Sequence, residues 1–151
     1  MSNPKAIAIQ NYLPHREPML MVDIIQEITA DFVSTSFVVT PDNLFVSKGQ
    51  LQEVALIENA AQTCSAIVGQ SFFFDEEHKE IENITVLGFI SSMKKVTIFR
   101  LPNIGDQLIT KATLVSKIVG DETVICVIEV EITIDLEAIF KAEINLFLQK
   151  Q

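Results

Sequence analysis

The sequence predicts an α+β fold in which an antiparallel sheet curls around one long central helix, and three observations predict it. Leu51 to Val68 is apolar on most sides and long enough for about five helical turns, so the helix it forms should be wrapped rather than laid on a surface. From Thr123 to Ile134, and again from Ala138 to Leu148, apolar and polar residues alternate with the period of a half-buried strand. No repeat, low-complexity tract or Gly/Ser linker divides the 151 residues, so 1–151 reads as one domain, large enough to bury a core without metal or disulfide staples.

Taken in order, Pro14 and Pro18 favour extended or turn structure at the start. Met19 to Ile28 and Phe32 to Thr40 then read as strands, and Pro41, Asp42 and Asn43 mark the turn that follows. Ser47 followed by Gln50 resembles a capping box at a helix start, and Gly69 stands where a left-handed cap would end that helix. A charged stretch, FFFDEEHKEIEN, leads into strands for the rest of the chain. Val124, Cys126, Ile128, Val130, Ile132 and Ile134 share one face of the first clear strand; Phe140, Ala142, Ile144, Leu146 and Leu148 share one face of the next. Gly120-Asp121 and Asp135-Leu136-Glu137 supply the hairpin turns.

Composition removes several function classes. With 11 Lys+Arg against 20 Asp+Glu the net charge is -9, so the phosphate-neutralising surface that nucleic-acid binding needs is missing. Lys94, Lys95 and Arg100 come nearest to a basic cluster and read as solvated charges at a sheet edge. Mean hydropathy is +0.34, yet Glu58, Asn59 and Gln62 interrupt the best candidate membrane span. The start, MSNPKAIAIQNYLPHREP, shows no basic segment followed by an unbroken apolar run, so a cytoplasmic location is expected. Cys64 and Cys126 read as small buried hydrophobes without metal-ligand spacing, and no metal or cofactor is expected.

The helix carries LIENAAQ, which sets Glu58 and Gln62 one turn apart in otherwise apolar surroundings. A carboxylate buried there without a partner would be costly or would take up a proton, so the pair marks a site that is partnered or partly open. Three segments, in order, resemble the hotdog-fold 3-hydroxyacyl-acyl-carrier-protein dehydratases. They are LPHREPMLMVD (Leu13 to Asp23), LIENAAQ, and LGFISSMKKVTIFRLPNIGDQL (Leu87 to Leu108) with its Pro-x-x-Gly-Asp turn. The resemblance implies a hotdog fold, paired as a homodimer or with another hotdog subunit, with sites at the interface. It also implies a thioester of acyl carrier protein or coenzyme A as the substrate or partner. The chain departs from the family at Asn43 to Gln52, NLFVSKGQLQ, which has no His and no Pro where the family carries Gly-His-Phe-Pro-Gly with its catalytic base.

Dehydrating a 3-hydroxyacyl thioester needs a base for the α-proton, an acid for the departing hydroxyl, and donors on the thioester oxygen. Glu58 matches the family's acidic residue and is the candidate acid if burial raises its pKa; Gln62 is placed to orient it. His15 is the candidate replacement base, whereas His78, in DEEHKE, reads as a solvated loop residue. Backbone amides at Gly49 and Gln50, expected at the helix N-terminus, would serve the oxyanion, and Met19, Met21, Phe89 and Ile90 would line an acyl chain. The function expected is a dehydratase in fatty-acid-like or polyene synthesis. Two alternatives stand beside it: a catalytically inactive accessory subunit paired with an active hotdog dehydratase, and a thioesterase working through Glu58.

Overall fold

The computed structural model describes residues 12–73 and 86–150; His78 and most of the charged stretch around it lie outside them. The elements are β1 (Ile24–Ile28), β2 (Phe32–Val38), β3 (Val46–Ser47), β4 (Gln50–Leu51), α1 (Glu53–Phe73), β5 (Val86–Ile98), β6 (Gln107–Val119), β7 (Thr123–Ile134) and β8 (Glu137–Lys150). Six strands form one sheet in the order β1-β2-β6-β7-β8-β5 with antiparallel neighbours, and β3 and β4 form a separate small hairpin. One helix packed on this antiparallel sheet is the hotdog arrangement.

The alternation in β7 and β8 produces the inner face. Ile128, Ile132, Phe140 and Ile144 are fully buried and form one core with Leu56, Ala60 and Cys64 of α1. Each side chain of Leu or Ile size so removed from water contributes about 1.5–3 kcal/mol. The two thiols are free and buried; burial pushes both up, and Lys117 opposes the shift at Cys126. Asp135 and Leu136 turn β7 into β8 with φ of 50° and 68°. Lys94 and Lys95 are exposed on β5, an edge strand, and the Arg100 guanidinium lies 3.8 Å from Asp106. Among the described residues no helix is long and apolar enough to cross a membrane.

Three expectations about boundaries fail for identifiable reasons. Met19 to Asp23 is not strand: the Met19 and Leu20 N–H groups turn back to the Arg16 carbonyl, Met21 gives both its backbone groups to side chains of α1, and β2 is reached at Asp23, whose N–H donates to the Ser36 carbonyl. Ser47 and Gln50 do not cap α1; they pair across the β3–β4 hairpin, whose turn residues Lys48 and Gly49 have φ of 53° and 77°. The helix begins after Gln52, whose carbonyl accepts the Ala55 N–H. At its other end α1 runs through Gly69 to Phe73, so Gly69 is not its cap.

Candidate active site

The segment from Tyr12 to Asp23 carries no regular structure and lies along α1. Leu13 is buried, and the Arg16 guanidinium folds back to donate to the carbonyls of Leu13 and His15 at 2.9 and 2.8 Å. Those bonds hold the loop that presents His15.

From the helix side, Gln62 is fully buried and makes three hydrogen bonds. Its Oε1 accepts the Met21 N–H at 2.8 Å, and its Nε2 donates to the Met19 carbonyl at 2.8 Å and to Glu58 Oε1 at 3.0 Å. The amide orientation is unambiguous here, because an N–H can only donate and a carbonyl can only accept. Gln62 therefore presents a donor to Glu58, and among the described residues the contacts of that carboxyl group are made through Oε1. Glu58 is both partnered and partly open: about a third of its side chain, 32%, is exposed, which lowers the desolvation cost of a carboxylate on this apolar helix. His15 is exposed to a similar extent, with Nε2 at 4.0 Å from the same Glu58 Oε1, beyond hydrogen-bond length. Its Nδ1 is buried and, among the described residues, has no hydrogen-bond partner. Thus Glu58, Gln62 and His15 meet at one opening.

The remaining candidates divide. Met19 adjoins the site through its carbonyl and is exposed, but Met21 is fully buried in the core and cannot line an open channel. Phe89 pairs with Phe147 on the sheet face turned away from α1, ring centroids 5.0 Å apart, so it lies across the sheet from Glu58. Ile90, opposite buried Leu146, faces inward against the core. Gly49 and Gln50 belong to the hairpin turn, not the helix start: the Gly49 carbonyl accepts the Ile104 N–H and Gln50 bridges to Asn103. The Pro102–Asp106 turn thereby anchors the hairpin, with Asp106 Oδ2 accepting the Asn103 N–H at 2.8 Å.

Sequence reasoning missed Asn59 and Thr110. Asn59 is fully buried; its Nδ2 donates to the Met21 carbonyl at 2.6 Å and its Oδ1 accepts from the Thr110 hydroxyl. The signal was a second polar residue, directly after Glu58, in an apolar helix. A further buried pair, Thr35 and Thr63, joins β2 to α1 at 2.8 Å between hydroxyl oxygens.

A family model described as ApeP-like, ApeP dehydratase, matches residues 7–151. A 3-hydroxyacyl-[acyl-carrier-protein] dehydratase FabZ of Streptococcus pyogenes is 32% identical over 114 residues, covering 72% of this chain and 76% of the relative. Its counterpart in Streptococcus uberis is 33% identical over 114 residues, covering 72% and 75%. Among solved structures, the dehydratase heterocomplex ApeI:P from Xenorhabdus doucetiae superposes with a TM-score of 0.76 at 18% identity, over 95% of this chain and 91% of that one. A hypothetical thioesterase from Streptococcus pneumoniae, solved with coenzyme A, gives a TM-score of 0.61 at 20% identity, over 84% and 85%.

Proposed function

This chain belongs to the ApeP-like dehydratase family, and from that membership we propose that it removes water from 3-hydroxyacyl thioesters of acyl carrier protein or coenzyme A. The setting is fatty-acid-like or polyene synthesis in the cytoplasm, by a single domain spanning 1–151. A base takes the α-proton, charge moves onto the thioester oxygen, and Glu58 gives a proton to the departing hydroxyl as the C–O bond breaks, yielding enoyl thioester and water. The observation that carries this reading is a glutamate carboxyl group on an apolar helix, partly open to solvent, with one oxygen held by a buried glutamine and, among the described residues, no hydrogen bond to the other. His15 is the base candidate within the chain.

A second source for the base is a partner hotdog chain. Two things favour it: Asn43 to Gln52 carries no His, and the similar Xenorhabdus doucetiae structure is a heterocomplex. Such a chain could pair along β5, the long edge strand of the described sheet. The inactive-accessory reading would leave Glu58 without a task, and the thioesterase reading has only a likeness of fold behind it.

The test follows a 3-hydroxyacyl thioester by mass spectrometry, with the protein alone and with any hotdog chain that copurifies. Loss of water from the acyl group should fall about 10²- to 10⁴-fold in Glu58→Ala, the usual contribution of a positioned acid. His15→Ala assigns the base: loss of turnover places it in this chain, and full turnover places it in the partner. Undiminished enoyl formation by Glu58→Ala overturns the proposal.

A further inference from the structure

We propose that Asn59 is a positioning residue: together with Thr110 it clamps the Met19–Met21 strap to α1, and so holds Gln62 and Glu58 in the geometry that dehydration uses. The inference rests on the role given to Glu58 above and adds a residue that role does not itself require.

The clamp centres on one residue's backbone. The N–H of Met21 goes to Gln62 and the carbonyl of Met21 goes to Asn59, so α1 side chains take both polar groups that a sheet neighbour would normally satisfy. Asn59 and Gln62 are three apart, on neighbouring positions of one helix face, which is the spacing that lets them bracket a single residue. Asn59 has a fixed orientation for the same reason as Gln62. The Met21 carbonyl can only accept, so Nδ2 faces it and Oδ1 must face the Thr110 hydroxyl, which donates. Thr110 is fully buried in β6 and sits mid-ladder, opposite Thr35 of β2 and Ile132 of β7. The anchor is therefore a residue held by strands on both sides.

Helix formation alone would not select this residue. Asn is among the weaker interior helix formers because its side chain competes for backbone hydrogen bonds, and Ala would serve the helix better. What Asn59 adds is control of the strap. If the Met19–Met21 strap drifts, Gln62 loses both backbone partners, and its amide, then held by Glu58 alone, no longer fixes where that carboxyl group points. The chain of contacts from Thr110 through Asn59, Met21 and Gln62 ends on Glu58 Oε1.

The experiment uses the full chain, with whatever hotdog partner purifies with it, as wild type, Asn59→Ala, Thr110→Val and Thr110→Ser. Two readouts are taken: steady-state dehydration kinetics, and hydrogen exchange at the Met21 amide. Asn59→Ala and Thr110→Val should lower kcat about 10- to 100-fold, the scale of a misplacement near 1 Å, with little change in KM. Thr110→Ser, which keeps the hydroxyl, should retain wild-type kcat. The Met21 amide should exchange faster in the two damaging variants while amides in β7 and β8 keep their protection. Faster exchange at Met21 with unchanged kcat overturns the proposal and leaves a purely structural clamp; unchanged exchange overturns the clamp itself. Absence of turnover in the wild-type assembly defeats the dehydratase reading and the link to Glu58 with it, while the exchange data still decide whether the clamp exists.

Discussion

At the scale of single residues, the site depends on a glutamine whose polar atoms are all committed. Gln62→Met keeps the volume and deletes three hydrogen bonds, leaving the Met21 N–H buried without an acceptor. An orphaned buried donor costs about 1–3 kcal/mol, so the urea midpoint should fall accordingly, and dehydration should fall with it because Glu58 loses its orienting donor. A variant that unfolds at the wild-type midpoint would show that another group satisfies Met21. Glu58 and Gln62 were legible in the sequence because two polar residues one turn apart in an apolar helix demand a partner. Asn59 is as fully buried as Gln62, yet it was read only as an interruption of the apolar run. Its partners, the Met21 carbonyl and Thr110, are 38 and 51 residues away, and no local spacing announces such contacts.

Among the elements, local signals worked where one face of a strand is buried and misled where two structures share a local pattern. β7 and β8 were readable because a period of two fixes which side chains enter the core, and their burial alternates as expected. Ser47 and Gln50 fit a capping box equally well as sequence, but Lys48 and Gly49 adopt left-handed backbone and Leu51 donates to the distant Pro102 carbonyl, so the segment closes as a hairpin. The β7–β8 turn carries a prediction of its own. Its central pair, Asp135 and Leu136, both have positive φ, and Leu136 is 98% exposed, so its side chain bears the left-handed cost without burying anything. Leu136→Gly creates the Asp-Gly pair that two-residue hairpins favour, and should stabilise the protein by about 0.5–1 kcal/mol after the glycine's own entropy cost. Calorimetry should show a higher Tm; a lower one would mean that Leu136 is covered in the protein's assembled state.

For the whole molecule, the open side of the site points to a second chain. Dehydration is served by excluding water from the reacting groups, yet α1 leaves Val54 exposed and Ile57 and Glu58 half-buried on its outward face. At the same time, among the described residues, β5 pairs with β8 alone, so the other edge of this 13-residue strand offers N–H and C=O groups to a further strand. A neighbouring hotdog chain paired along β5 would satisfy that edge and could cover the helix face, and a stable interface of this kind buries about 1,200–2,000 Å² in total. Leu87 and Phe89, half-exposed near the free edge, are where charge should interfere without touching the core. Leu87→Lys combined with Phe89→Lys should convert the assembly, measured by light scattering, from a dimer or one-to-one complex into monomers with the same circular dichroism, because lysines on an edge oppose strand addition. Dehydration should be lost with the pairing, although neither residue lies on the Glu58 side of the sheet. Retained pairing would move the interface away from β5, and monomers with full turnover would show that one chain closes its own site.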